Sequence, residues 1–276
     1  MEKIKVLIPT DFSVQAEYAY LMVKKLEEKI ETEIHFLHIM DAPDTVFINE
    51  TGTVQTCGEI YPGYIRSQKN IADRKLTELK ITYGPHIHTH FELGKVTDKI
   101  LSFSQKNQFD LIVMGTKGAW GIKEKLAGSE TQIIARQSPI PLLSLMCDRS
   151  DLVIEHLLLV HDFNRPENQN LGLLHILLKA FNPTVHLLQI MNGSTKKESV
   201  LSHMDEYAQL NGIDNFKKHL LTDSDIESGV IHFNQMLEMD IVCIGTHGRG
   251  GFMHTSITEK LINHLYKPII SFHLKN

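Results

Sequence analysis

One sequence pattern occurs twice in this chain and constrains its fold more than any other. Residues 110–118 read DLIVMGTKG, and residues 240–248 read DIVCIGTHG. Each copy is an apolar run that ends in Gly-Thr-x-Gly, which is typical of a buried parallel strand entering a glycine-rich loop. When such a loop leads into a helix, its backbone N–H groups can point at a phosphate, because glycine allows the required φ angles and a close approach. The pattern therefore predicts two related phosphate loops.

The two halves of the chain align with each other beyond this pattern. The equivalent pairs, first half and then second, are Asp11 and Asp162, Ile39 and Ile190, Gly115 and Gly245, and Thr131 and Thr258. The offset falls from 151 to 130 and then to 127 along these pairs. The first fall predicts that the second half lacks most of the Asp41–Leu79 insertion, including one helix. The polar segment CDRSD follows the first half, so we expect domains over residues 1–147 and 151–276.

Within each half, predicted strands alternate with amphipathic helices. The strands expected in the first half are Ile4–Thr10, Ile34–Met40, Ile87–Leu93, Leu111–Met114 and Pro141–Leu145. Such alternation predicts an α/β fold with a doubly wound parallel sheet. The Gly- and Pro-containing segment Asp41–Gly63 is expected to be a loop. The chain should therefore form two tandem five-stranded parallel-sheet domains.

Only the first glycine loop is complete. Gly128 and Ser129 finish the spacing G-x2-G-x9-G-S that begins at Gly115. In the second half Thr255 takes the place of Gly128, and the loop is three residues shorter. We therefore expect a phosphate site in the first half and a weak or empty one in the second.

Composition and charge exclude several partners. The chain has 276 residues, a formal net charge of −5 and 42% hydrophobic residues, without a block of Lys and Arg. Neither nucleic acid nor an anionic membrane surface is an expected partner. The segment MEKIKVLIPTDFS lacks the regions of a signal peptide, and no apolar stretch reaches about 18 residues. Three scattered cysteines without a CxxC motif favour the reducing cytoplasm.

Several motifs together resemble the universal stress protein family, in its tandem form with two domains per chain. They are PTDFS after the first strand, LHIMD at the end of the second, DLIVMGTKG, G-x9-GS and SPIPLL. The resemblance implies an adenine-nucleotide alpha hydrolase-like fold with strand order 3-2-1-4-5 and a nucleotide site at the switch point of the sheet. It also implies an internal pseudo-dimer through the fifth strands, Pro141–Leu145 and Pro268–Phe272, and leaves a further homodimer open.

The resemblance also implies a set of site residues in the first domain. Asp11 would contact the adenosine, and Ile39 would meet adenine through its backbone. The other expected contacts, most of them to the phosphates, are Met114, Gly115, Gly118, Gly128, Ser129, Glu130 and Thr131.

Two of these residues have alternative interpretations. Asp11 could instead cap the helix that begins near Ser13. Glu130 stands where the family commonly has a small apolar residue. Its carboxylate would repel phosphates, help to hold Mg²⁺ or face solvent.

Histidines raise the separate question of a metal. His86, His88 and His90 alternate along the third strand, which would place them on one face. A zinc site needs three or four ligands, and Glu92 continues this face without a cysteine nearby. Polar residues are also expected on an edge strand. No metal is therefore assigned.

The expected function is binding rather than turnover. No G-x-S-x-G, Walker lysine, HExxH or CxxC motif occurs, so no catalytic residue is assigned. The leading hypothesis is a cytoplasmic stress-response protein that binds ATP, with or without Mg²⁺, or another adenine nucleotide in its first domain. The alternatives are a scaffold or small-ligand-binding protein without nucleotide, and a slow ATPase.

Overall fold

The computed structural model describes residues 3–49, 52–58, 60–116, 130–163, 171–191, 197–247 and 252–274. The elements of the first half are β1 (Lys3–Pro9), α1 (Val14–Glu27), β2 (Glu31–Met40), β3 (Phe47–Ile48), β4 (Val54–Gln55), α2 (Pro62–Tyr83), β5 (His88–Leu93), α3 (Val96–Lys106), β6 (Leu111–Gly115), α4 (Glu130–Gln137) and β7 (Leu142–Leu145). Those of the second half are β8 (His156–Val160), α5 (Gly172–Phe181), β9 (Thr184–Met191), α6 (Lys197–Leu210), β10 (Phe216–Thr222), α7 (Ile226–Met236), β11 (Ile241–His247), α8 (Phe252–His264) and β12 (Ile269–Leu274). Within these ranges, no helix has the length and apolar character needed to cross a membrane.

Ten of the described strands form one sheet in the order β10-β9-β8-β11-β12-β7-β6-β1-β2-β5. Strands are parallel to their neighbours within each half. Numbered within each half, their order is 3-2-1-4-5. The predicted fold class is therefore confirmed, with the short antiparallel pair β3–β4 as an addition.

The two halves meet through their fifth strands. β7 and β12 pair antiparallel, with Ser144 opposite Ile269 and Ser271 opposite Leu142. The hydroxyl of Ser144 donates to the carbonyl of Ile269 at 3.4 Å, and that of Ser271 donates to the carbonyl of Leu142 at 3.5 Å. This pairing is the one that the family resemblance implies, and it leaves β5 and β10 at the edges of the sheet.

Helices cover both faces of the sheet, which explains why its inner strands are apolar throughout. Val6, Leu7 and Ile8 are consecutive residues of β1 and are all fully buried. Val6 and Ile8 point into one apolar cluster, whereas Leu7 points into the cluster on the opposite face. Because both faces of these strands are apolar, no alternation of polar side chains along them marks a binding site. Polar site residues are therefore expected at the ends of the strands.

The insertion after β2 differs from the expectation in both halves. Asp41–Gly63 is not a plain loop, since it contains β3 and β4 and contributes buried Val46 and Val54 to a small apolar cluster. The expectation that the second half lacks a helix is wrong. α6 occupies the place of α2, with 14 residues instead of 22. The offset gives only the total number of deleted residues, which here are shared between the helix and the connection before it.

Candidate functional site

A cleft of about 780 Å³ opens at the carboxyl ends of β1, β2 and β6. Residues of α2, α3 and α4 form its other walls. β1 lies between β2 and β6 in the sheet. The connection after β1 leads to β2 on one side, and β6 pairs with β1 on the other side. Ligands of open α/β sheets bind at such a switch point, and the volume is typical of small-molecule sites, about 300–1,000 Å³.

The cleft brings together every predicted site residue that the structure describes. These residues are Asp11, Ile39, Met114, Gly115, Glu130 and Thr131. The remaining three, Gly118, Gly128 and Ser129, lie outside the described residues.

Side-chain hydrogen bonds order the turn from β1 into α1. Ser13 is the N-cap of α1, and its hydroxyl accepts the N–H of Ala16 at 3.4 Å. Asp11 Oδ1 accepts the N–H of Ser13 at 2.9 Å, and Thr10 Oγ1 accepts the N–H of Phe12 at 3.0 Å. The cap is therefore Ser13, whereas Asp11 orders the turn before it and is exposed in the cleft.

Phe12 lies in this turn with a strained backbone. Its φ of 64° is in the left-handed region, which costs a residue with a side chain on the order of 1 kcal/mol. The conformation places its ring 4.4 Å from that of His38, and the Lys75 ammonium 4.9 Å from the ring centre. These three side chains form one wall of the cleft. The wall combines an aromatic surface with a positive charge.

His38 has a defined protonation state in this wall. Its Nδ1 lies 2.8 Å from the carbonyl oxygen of Thr10, so Nδ1–H is the donor. Burial lowers the pKa of His38, although the hydrogen bond to Thr10 opposes that effect. The ring is therefore neutral at pH 7, and Nε2 is its hydrogen-bond acceptor.

Charged side chains of both signs line the cleft. Among the described residues that line it, Lys75 of α2 and Lys95 before α3 are positively charged, and Asp11, Asp41 and Glu130 are acidic. Sequence reasoning missed both lysines. A signal existed for Lys75, because it lies one helical turn after the buried Ala72 and therefore on a neighbouring part of the same face.

Glu130 lines the cleft as the first residue of α4 and is half-buried. The positive end of a helix dipole favours a carboxylate at this position. Of the alternatives for Glu130, a side chain wholly turned to solvent is therefore not the observed one. Thr131 follows it and is buried.

Gly115 has a packing role that the glycine pattern alone does not reveal. A Cβ at this position would lie 2.2 Å from the carbonyl oxygen and 2.5 Å from the carbonyl carbon of Gln15 in α1. These backbone atoms of Gln15 cannot move aside as the end of a flexible side chain could. Gly115 therefore permits close contact between β6 and α1, whatever its contact with a ligand.

Histidines of β5 have partners on β2 rather than on their own strand. His90 Nε2 lies 2.8 Å from His35 Nδ1, and the two rings are nearly parallel with centres 5.1 Å apart. Burial is the main cause that lowers the pKa of both residues, that of His90 to about 4. Both rings are therefore neutral at pH 7. Glu92 is paired with Lys99 at 3.1 Å.

Known proteins resemble this chain in sequence and in fold. The model of the universal stress protein family matches residues 4–145. Universal stress protein MJ0531 of Methanocaldococcus jannaschii is 26% identical over 139 residues, which cover 50% of this chain and 79% of that protein. MJ0577 of the same organism is 26% identical over 149 residues, covering 50% and 92%. A universal stress protein structure from Archaeoglobus fulgidus covers 99% of this chain and 97% of its own at 20% identity, with a TM-score of 0.73. That structure spans both halves and has the same fold.

Proposed function

The chain belongs to the universal stress protein family, and from this premise we propose that its first half binds ATP or another adenine nucleotide. The observation that carries the proposal is the meeting of all six described site residues around one cleft. They come from separate segments of the chain, after β1, at the end of β2, at the end of β6 and at the start of α4. A helix-capping or strand-packing role for each residue would not require a shared cavity of nucleotide size.

Each part of the cleft suits a different part of the nucleotide. Asp11 offers a carboxylate for the ribose hydroxyls, and the backbone of Ile39 offers hydrogen bonds to the adenine edge. Lys75, Lys95 and the N-terminus of α4 supply positive charge for the phosphates. Gly118, Gly128 and Ser129 complete the phosphate loop in this proposal.

A magnesium ion would reconcile Glu130 with a phosphate ligand. Asp11 and Glu130 bring two carboxylates to the cleft, and Mg²⁺ binds carboxylate and phosphate oxygens. The positive charge of the ion would offset the repulsion between the Glu130 carboxylate and the phosphates. We therefore propose that the nucleotide binds together with Mg²⁺.

The proposed role is regulation in a stress response, by binding rather than by consumption of the nucleotide. A ligand that binds only the folded protein stabilises it by about 2.7 kcal/mol at one hundred times its dissociation constant. Binding could thereby switch the cleft walls between two states. The three cysteines are free, which supports a reducing cytoplasmic setting.

One observation favours a second candidate, a small ligand without phosphate. Apolar side chains also line the cleft, namely those of Ile39, Ile71, Ile100 and Met114. Together with the Glu130 carboxylate, such walls would also suit an apolar or cationic molecule.

Ligand capture and titration separate these candidates. The full chain is incubated with ATP and Mg²⁺ and desalted, and the retained ligand is identified by mass spectrometry. Calorimetry should give one nucleotide per chain, and Lys75→Glu should weaken binding at least about tenfold, or 1.4 kcal/mol. Lys80→Glu is the control, since Lys80 is exposed on the same helix but does not line the cleft.

Three outcomes would contradict the proposal. Absence of binding would favour the ligand without phosphate, and equal weakening by both variants would place the site elsewhere. Repeated release of phosphate at about 1 per second, an ordinary enzyme rate, would favour the ATPase.

A further inference from the structure

A second group of polar side chains lies at the opposite ends of the strands from the cleft. His35 of β2 stands beside His88, the first residue of the edge strand β5, in the parallel register. Glu33, two residues before His35, is on the same face of β2. Its Oε1 lies 2.8 Å from His35 Nε2. The three side chains offer one carboxylate oxygen and two imidazole nitrogens, all within 4.8 Å of one another.

These distances fit a single cation. Ligand atoms around a tetrahedral zinc ion are roughly 3.4 Å apart when its bonds are near 2.1 Å. The separation of 2.8 Å between Glu33 and His35 and the upper limit of 4.8 Å bracket that value. His35 is buried, whereas His88 is exposed and Glu33 is half-buried. The group can therefore receive an ion from solvent and leave water in a fourth position.

His35 is already oriented for this role by its other nitrogen. His35 Nδ1 lies 2.8 Å from His90 Nε2, and the edge of Phe109 packs 5.0 Å from the His35 ring. In the metal-free protein, His35 Nε2–H donates to the Glu33 carboxylate, so His90 Nε2–H donates to His35 Nδ1. When a cation takes the place of the Nε2 proton, the tautomer changes and Nδ1–H donates to His90. Metal-binding histidines usually have such a partner on the second nitrogen, which sets the tautomer and the ring orientation. A cation would replace the proton that Glu33 and His35 share.

We propose that Glu33, His35 and His88 bind a divalent transition metal ion of the zinc type. Two imidazoles and one carboxylate form a ligand set that zinc accepts with water as the fourth ligand, whereas Mg²⁺ and Ca²⁺ prefer oxygen alone. The side chain of Lys3 competes with a cation for the Glu33 carboxylate. The Lys3 ammonium lies 3.1 Å from Glu33 Oε2 and partly neutralises the carboxylate.

The second half repeats the supporting histidine pair, but there Nε2 of His186 lies 3.3 Å from Nδ1 of His156 instead of beside a carboxylate. His186 and His219 repeat the His35–His90 contact, with nitrogens 3.0 Å apart and ring centres 5.0 Å apart. The strand registers place Thr184 at the position of Glu33 and Lys217 at that of His88.

The difference between the two halves separates a packing role from a metal-binding role. A pair of one buried and one half-buried histidine occurs in both halves and is part of the packing of this sheet. The carboxylate and the exposed imidazole occur only in the first half. They are the residues that convert the packed pair into a metal site.

Zinc titration of the full chain, without a polyhistidine tag, tests the proposal. Glu33→Thr and His88→Lys introduce the residues that the second half already has at these positions. Each should weaken zinc binding at least about tenfold, since even loss of a supporting partner costs 10- to 100-fold. His86→Gln is the control, because His86 is exposed nearby but outside the ligand group. It should leave the affinity unchanged.

Lys3→Gln tests the same site in the opposite direction. Removal of the competing ammonium should strengthen zinc binding, a result that a misfolded variant cannot produce. Binding that is equal in wild type, Glu33→Thr and His88→Lys would overturn the proposal. So would weaker or unchanged binding in Lys3→Gln, or a loss in His86→Gln as large as that in His88→Lys.

Discussion

The two halves share one strand order but differ at the carboxyl ends of their strands. In the first half, Phe12 and Ile39 are partly exposed and line the cleft. Their counterparts in the second half, Phe163 and Ile190, are only 0% and 8% exposed. At these two positions the strand ends are therefore open in the first half and covered in the second.

Among the described residues, two helices contact Phe163 and Ile190. The fully buried ring of Tyr207 in α6 packs edge-on against Phe163, with centres 5.1 Å apart. α7 approaches β9 so closely that a Cβ on Gly229 would lie 2.6 Å from Cδ1 of Ile190. Lys99 occupies the place of Gly229 in the first half. The residues on the covering helices thus differ between the halves at positions where the strand ends are alike.

The largest expected difference between the two halves is in nucleotide affinity. Gly128→Val should weaken ATP binding at least about a hundredfold, or 2.8 kcal/mol, because a branched side chain would occupy the space of a phosphate. The matched control is Thr255→Val at the equivalent position of the second half, which should leave binding unchanged. Calorimetry measures both. Two equal sites in the wild type, or a loss caused by Thr255→Val, would refute the asymmetry.

A smaller effect should distinguish packing from ligand contact at Gly115. Gly115→Ala should lower the free energy of unfolding by about 2 kcal/mol without any ligand, since the new Cβ meets the backbone of Gln15. Gly63→Ala is the control. Its Cβ would meet only the ring of Tyr61, which is 78% exposed and can move away. Urea unfolding measures the difference, and a wild-type midpoint for Gly115→Ala would rule out the packing role.

Sequence periodicity and internal offsets predicted the architecture correctly because they depend on local patterns. The apolar runs indicated the strands, and the duplication indicated two domains of one kind. The pairing of β7 with β12 followed from the family resemblance rather than from the pattern of residues. The division of the deletion between α6 and its preceding connection was not predictable, since both lie between the same two strands.

Contacts across the sheet were harder to predict from the sequence than its strands. Lys75 and Lys95 enter the cleft through the placement of α2 and α3, which a linear pattern does not give. His35 was overlooked for the same reason. It meets His88 and His90 only through the register of β2 with β5.

The smallest expected effect compares the two histidine pairs as the pH falls. Burial, followed by the positive charges of His219, His156 and Lys217, lowers the pKa of His186 to about 4. Its side chain is almost fully buried, with 1% exposure of the residue. The unfolded chain binds this proton below about pH 6.5, whereas the folded chain stays neutral until about pH 4. The contribution to stability is therefore complete above pH 6.5 and is lost between pH 6.5 and 4.

Burial lowers the pKa of His90 to about 4, as it does that of His186, so the two pairs should differ through His35. The first-half pair should respond less, because the Glu33 carboxylate accepts a hydrogen bond from His35 and favours its protonated form. Urea unfolding between pH 7.5 and 4.5 would compare the wild type with the double variants His186→Leu/His219→Leu and His35→Leu/His90→Leu, with a chelator present. The first double variant should lessen the acid destabilisation by at least about 1 kcal/mol, since each unit by which folding lowers the pKa of His186 represents about 1.4 kcal/mol. The second should lessen it by a smaller amount. Equal changes would show that Glu33 does not distinguish the two pairs, and a wild type that gains stability toward pH 4.5 would contradict the neutral state of both.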